Sequence, residues 1–240
     1  MNENIITNKT SEMPLLPLRG ISVFPGMLLN FDVERAVSVA ALNAALGSDQ
    51  LLFLVAQKDI LTEDPDEGDL FRVGTVCRLK QLLRMPGSEA IRVLIEGVAR
   101  GRLEGITARK PCFRAQVELL EDGEPETVTV KHEALMRRAE ELFDEYAQLS
   151  GAVKPETVVG VMNQLTPGGV ADYITQNIYL RHTQKQIVLE ELRPINRLHI
   201  VIKFLERENN ILSVEQTIQE STQEQVARSQ KEYYLREQMK

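Results

Sequence analysis

The chain has 240 residues, of which 43% are hydrophobic and 26% charged, with a net charge of −7. That length and balance fit a globular chain of one large or two small domains, able to bury a core. The acidic balance opposes nucleic-acid binding, which needs Lys and Arg against phosphates; no run approaches the ~18 apolar residues of a membrane span, and the polar start M-N-E-N-I-I-T-N-K-T-S-E is no signal peptide.

Residues 1–12 read as a disordered leader. Pro14 to Phe24 and Met27 to Val33 are strand candidates on either side of a Pro25-Gly26 turn. Glu34 to Leu46 carries Val37, Ala41, Ala44 and Ala45 at helical spacing, with Gly47 as a stop. Leu51 to Ala56 (L-L-F-L-V-A) is a strand of the fully buried kind. The acids Asp59, Glu63, Asp64, Asp66, Glu67 and Asp69 then read as a solvated loop, since their spacing fails the calcium-loop pattern.

Phe71 to Arg84 and Glu89 to Val98 flank M-P-G-S (85–88) as a hairpin. In the second arm Ile91, Val93 and Ile95 alternate with Arg92, Leu94 and Glu96, a half-buried period of two. Arg100 to Ile106 and Cys112 to Leu120 add two more strands. The set predicts a small, curled, mostly antiparallel sheet or barrel. Cys77 and Cys112 form no C-x-x-C pair and read as buried, reduced thiols of a cytoplasmic protein.

Near residue 126 the pattern turns helical. Leu135, Ala139, Leu142, Phe143, Tyr146 and Leu149 make one apolar face, closed by Gly151. Pro155 opens a second helix, with Val158, Val159, Met162 and Leu165 as its apolar residues. T-P-G-G (166–169) interrupts, and helices over Val170–Leu180 and Thr183–Leu192 follow. From Ile195 to Lys240 there is neither Gly nor Pro. One helix of about 70 Å is expected there, at ~1.5 Å per residue. Leu198, Val201, Ile202, Leu205 and Leu212 keep a core stripe; beyond Ser213 the apolar positions thin to Val214, Ile218, Val226 and Tyr233. No cap ends the pattern, so a further segment is expected after residue 240.

A search for chemistry finds no phosphate-cradling G-x-x-x-x-G-K-[ST], no G-x-S-x-G and no H-E-x-x-H. His132, His182 and His199 lie far apart, without a Cys or His at ligand spacing. The distinctive local feature is the hairpin mouth, where Leu82, Leu83 and Met85 replace the usual polar residues. One of Leu82 and Leu83 is expected to point inward. Met85 suits a surface that accepts varied apolar partners, and Met27 at the Pro25-Gly26 turn offers a second apolar tip.

P-L-L-P-L-R-G-I-S-V-F-P-G-M (14–27), L-L-F-L-V-A-Q-K-D (51–59), D-L-F-R-V-G-T-V-C (69–77), R-V-L-I-E-G-V-A-R (92–100) and E-Y-Y-L-R-E-Q-M-K (232–240) resemble the N-terminal region of the Lon family of bacterial ATP-dependent proteases. Asn30, Asp32 and Glu34 depart from it, standing where the family more usually has Pro, an aromatic and Gly. The resemblance implies an α+β fold: a pseudouridine-synthase-associated (PUA)-like six-stranded antiparallel β subdomain over 13–125, a helical bundle over 126–193 and a long helix over 194–240. It also implies partners: unfolded or damaged protein substrates, self-association through the long helix, and a hexameric ring downstream. ATP, Mg and a Ser-Lys dyad belong to that downstream machinery, so no catalytic residue, cofactor or metal is expected in this chain. Substrate contacts are expected at Met85, Leu82, Leu83 and Met27, and assembly contacts at Ile218, Val226 and Tyr233. The other reading is an oligomerisation module with little substrate binding of its own.

Overall fold

The computed structural model describes residues 9–84, 90–123 and 127–239. The strand half contains β1 (Thr10–Leu18), β2 (Leu28–Val33), α1 (Ala36–Leu46), β3 (Leu51–Ala56), β4 (Val73–Arg84), β5 (Ile91–Ala108) and β6 (Arg114–Leu119). The helical half contains α2 (Val130–Ser150), α3 (Pro155–Met162), α4 (Pro167–Asn177), α5 (His182–Glu190) and α6 (Pro194–Gln238). The α+β architecture is as expected. β1 opens at Thr10, however, so residues 10–12 of the expected leader are ladder residues opposite β6; residues 1–8 lie outside the described residues.

The sheet runs β2-β5-β4-β3-β1-β6, and β6 pairs back onto β5. Five strands therefore close into a ring, and β2 hangs outside it on β5. All pairs are antiparallel except β1 and β3, which run parallel. The expected breaks between residues 98 and 100 do not occur. β5 is one strand of 18 residues that serves β2 over 91–96, β4 over 91–102 and β6 over 101–108. Gly97 lies inside it because the Phe24–Met27 turn sits directly above: a Cβ there would stand 2.1 Å from the Phe24 carbonyl oxygen. In that turn the Met27 amide donates to Phe24 (3.1 Å), and Gly26 supplies the positive φ of 75°.

Alternation sorts the β core onto two sides. Leu52 and Leu54 face α1 with Leu16, Leu42, Leu79, Val93 and Ile95; Phe53 and Val55 join Met13, Leu15, Val76, Leu103 and Val117 on the other side. This is why L-L-F-L-V-A has no polar face. In α1 the buried residues are Ala41, Leu42 and Ala45, whereas Val37 is exposed. Cys77 is buried in β4, where desolvation pushes its thiol up; Cys112 is buried in the turn before β6 rather than in the strand.

The acidic loop does more than meet solvent. Asp66 and Asp69 form a reciprocal capping box around the 3-10 turn Glu67–Asp69. The Glu67 carboxylate accepts from the Ile106 amide (3.1 Å) and the Arg72 guanidinium (2.9 Å), tying the loop to β5. Those contacts, the Ile106 amide first, hold Glu67 below the usual carboxylate range. The unfolded chain therefore takes up this proton at higher pH than the folded one. The stabilisation is present above the ordinary carboxylate value and is lost as pH falls from there through the lower value of the folded state. We predict that Glu67→Gln loses less thermal stability than the parent between about pH 5 and pH 3; identical acid profiles would exclude the clasp.

The helical half packs around Ala139, Phe143, Ile174, Val188, Leu198, Val201 and Leu205, and it admits Phe24 and Val73 from the strand half. α2 is capped by Thr129 and ends at Gly151 with φ 62°. T-P-G-G opens α4 rather than merely interrupting: Thr166 caps it and Pro167 is its first residue. α3 docks differently from its expected face. Gly160 lets the Tyr173 hydroxyl approach to 2.0 Å of where a Cβ would stand, so Val161 is buried. Val159, Met162 and Leu165 are left exposed.

Four charged side chains join the halves. Arg100 on β5 contacts Asp172 of α4 (2.7 Å) and Asp122 of the β6–α2 connection (2.9 Å). Arg197 of α6 contacts the other oxygens of Asp172 (3.0 Å) and Asp122. Each guanidinium also donates through Nε to a carbonyl, Arg100 to Leu189 and Arg197 to Glu191, both at 2.9 Å. Both arginines are almost fully buried. Burial pushes the Asp172 carboxyl up, and Arg100 and then Arg197 oppose that.

Candidate polypeptide-binding surface

The outer face of β2, β5 and β4 is set by register. Asn30, Leu94 and Gln81 form one cross-strand row, and Asp32, Arg92 and Leu83 the next. The alternation of β5 turns Ile91, Val93 and Ile95 inward and Arg92, Leu94 and Glu96 outward, as its period of two predicts. On β4 the alternation changes phase. Leu79 pairs with Ile95 and Gln81 with Leu94, so Lys80 is an extra residue. Without it, Leu83 would share the buried side of Leu79. The bulge instead sends Leu82 inward against the β core and leaves Leu83 48% exposed.

Leu83, Leu94, Asn30, Phe31, Gln81 and the Asp32–Arg92 pair line a shallow depression of about 420 Å³. The pair is bidentate, at 2.8 and 2.9 Å. It holds Asp32 below its ordinary value and Arg92 above its own. The depression thus has an apolar floor patch and a polar rim whose charges already satisfy each other.

Met85 lies outside the described residues. Met27 is half-buried against the β core, and the exposed apolar side chain at that turn is Leu28, at 63%. The two tips do not converge. Met27 lies beside Gly97 and Leu83 opposite Arg92, about 17 Å apart along β5 at ~3.4 Å per residue. Reading by residue type missed Leu94. Its signal was an apolar residue on the polar side of an alternating strand.

Other apolar side chains are exposed on the helices. Val159, Met162 and Leu165 follow α3. Tyr179 and Ile211 border the notch between the α4–α5 connection and α6, and Val214 is exposed further along α6. Past Leu212, α6 buries no described side chain: Ile218, Val226 and Tyr233 are 60, 51 and 70% exposed. Val226 and Tyr233 fall within about 20° on one helix face, and Ile218 lies about 80° from Val226. His132, His182 and His199 sit on three different helices. Among the described residues no group of three or more His, Cys, Asp or Glu is arranged for a metal, and no helix is long and apolar enough to cross a membrane.

The family model described as the ATP-dependent protease La (LON) substrate-binding domain matches residues 12–207. The chain is 39% identical over 241 residues to the Lon protease of Clostridioides difficile, which spans 99% of this chain and 30% of that protein. It is 40% identical over 238 residues to the Lon protease of Heliobacterium modesticaldum, spanning 99% and 29%. The chain therefore covers about 30% of the length of these curated relatives. Its fold is similar to the N-terminal domain of the Mycobacterium avium complex Lon protease, with a TM-score of 0.65 at 23% identity over 82% of this chain and 98% of that one.

Proposed function

The chain belongs to the Lon substrate-binding domain family, and from that premise we propose that its outer β2–β5–β4 face captures unfolded or damaged protein for an ATP-driven protease ring. The observation that carries this reading is the pair Leu83 and Leu94, apolar side chains set outward on adjacent cross-strand rows, with the exposed Leu28 further along β2. Captured segments are recognised by apolar side chains that a folded protein would hide. No residue of this chain is assigned a catalytic role. On this reading ATP and Mg belong to the ring and not to this chain.

The exposed parts of Leu28, Leu83 and Leu94 amount to somewhat more than one whole leucine, and covering them yields about 3 kcal/mol at ~1.5–3 kcal/mol per fully buried side chain. A micromolar complex needs about 8 kcal/mol. Side-chain contacts at one copy are thus weak, and several copies in a ring would multiply them. We expect Leu83→Asp to weaken binding of the full chain to reduced, carboxymethylated lactalbumin about tenfold by fluorescence anisotropy. Its thermal unfolding should be unchanged, since the side chain is half-exposed. Unaltered affinity would remove Leu83 from the site.

The bare second half of α6 favours a concurrent assembly role. Ile218, Val226 and Tyr233 are more than half exposed, and no packing among the described residues accounts for them. Sedimentation of the chain with and without residues 213–240 checks this. Self-association that vanishes on truncation supports the role, and equal masses per chain length reject it.

A further inference from the structure

The edge of β2 remains open. Among the described residues β2 pairs only with β5, while the ring closes without it. The Gly97 amide donates to Met27 O, so the Met27–Gly97 position is hydrogen-bonded. The ladder then runs without a register shift from Leu28–Glu96 to Val33–Ile91. Strict alternation assigns the main-chain groups of Leu29, Phe31 and Val33 to β5. It leaves the N–H and C=O of Leu28, Asn30 and Asp32 directed away from the sheet. No described side chain or other main-chain group bonds to them.

Open edges are usually blunted by Pro, Lys or a bulge. β2 carries none of these, and the one charge on it, Asp32, is taken up by Arg92. Beyond the edge lies a second depression, of about 380 Å³. It is bounded on one side by Phe31 and Val33 and on the other by Leu16, Leu18 and Ile21. The far wall is the part of β1 past Pro14, where its pairing with β6 has ended, with Ile21 just after it; Arg19, Glu34, Arg35 and Ser38 also line the depression. The edge is therefore flanked by one depression on the outer face and one beyond it. Alternate side chains of an added strand would meet these two places.

We propose that an extended segment of unfolded polypeptide adds to β2 as a further strand, bonding to the main chain of Leu28, Asn30 and Asp32. The inference rests on the capture reading above and supplies what its side-chain contacts lack. Main-chain bonding is indifferent to sequence, as capture of many substrates requires. The occupant must be an extended chain, because only a main chain offers donors and acceptors at the spacing of the edge.

Two measurements test it. Asn30→Pro removes an edge N–H that the β5 ladder does not use, a strand position where Pro is tolerated. It should weaken binding of a fluorescein-labelled extended peptide of alternating Val and Thr about tenfold. Independently of that variant's folding, the parent chain should bind a peptide N-methylated along one edge as it binds the plain one. It should lose about tenfold for a peptide N-methylated at adjacent central residues, which blocks both edges. Equal binding of all peptides, with Leu83→Asp still weakening them, overturns the strand addition and leaves the face reading intact. A parent that binds no peptide overturns both. Self-association that Asn30→Pro abolishes assigns the edge to a second copy and overturns the proposed occupant.

Discussion

Asp172→Ala lowers the free energy of unfolding by about 3–5 kcal/mol, because it leaves two buried guanidiniums facing one carboxylate. Folded domains hold only about 5–15 kcal/mol in total, so this change brings the chain close to unfolding at growth temperatures. The magnitude follows from location. Arg100 and Arg197 are 1 and 0% exposed, so water cannot replace the lost partner. Surface pairs such as Arg109–Asp66, with both side chains more than half exposed, carry no comparable cost. Urea denaturation followed by circular dichroism measures the loss. Arg100→Met combined with Asp172→Leu should recover a large part of it, since the remaining Asp122–Arg197 pair stays balanced. A single substitution costing less than about 1 kcal/mol would show that the quartet does not hold the halves together.

Gly97→Ala costs about 1–3 kcal/mol and also impairs binding. The added methyl would overlap the Phe24 carbonyl at 2.1 Å and the Phe24 carbonyl carbon at 3.0 Å, both main-chain atoms that cannot rotate aside. The turn must lift, and with it the hydrogen bonds of Gly26 and Met27 to Gly97 at 2.9 Å. Among the described residues β2 pairs with β5 alone, so lifting the turn loosens the strand from its first pair onward. The expected signature is a fall in thermal midpoint together with faster amide exchange at Leu29 and Phe31. Gly101→Ala is the comparison. There the closest atom, 2.7 Å away, is a methyl of the Val117 side chain, which can adjust. Protection of β2 in Gly97→Ala equal to the parent's would mean that the turn does not fix that strand.

Much of this was legible in residue order. The alternation in Ile91–Glu96 oriented β5 correctly, and the apolar run Leu51–Ala56 marked a strand buried on both faces. The helical half was legible from Leu135, Ala139, Leu142 and Tyr146 and from Gly151. The failures have identifiable physical sources. A break between Val98 and Arg100 was expected and does not occur, because β5 runs on to Ala108; Gly97 within it makes room for a neighbouring carbonyl. The doublet Leu82-Leu83 has no readable phase, since the bulge at Lys80 decides it and no local residue announces a bulge. α3 offers two apolar faces, and Tyr173 chose the one containing Gly160. The quartet spans residues 100 to 197, and only the tertiary fold brings its members together.

The same limit applies to the binding surface. Leu83 stood out as an apolar residue near a turn, but Leu94 joins it only through the cross-strand rows. The open edge of β2 is invisible without the topology. Crosslink mapping tests the central claim most directly. A photoreactive residue is placed at Leu94 in one full-length variant and at Met162 in another, and each is irradiated with bound carboxymethylated lactalbumin. Crosslinked adducts are expected from position 94 and essentially none from position 162. Adducts from the α3 patch, with none at position 94, would contradict it.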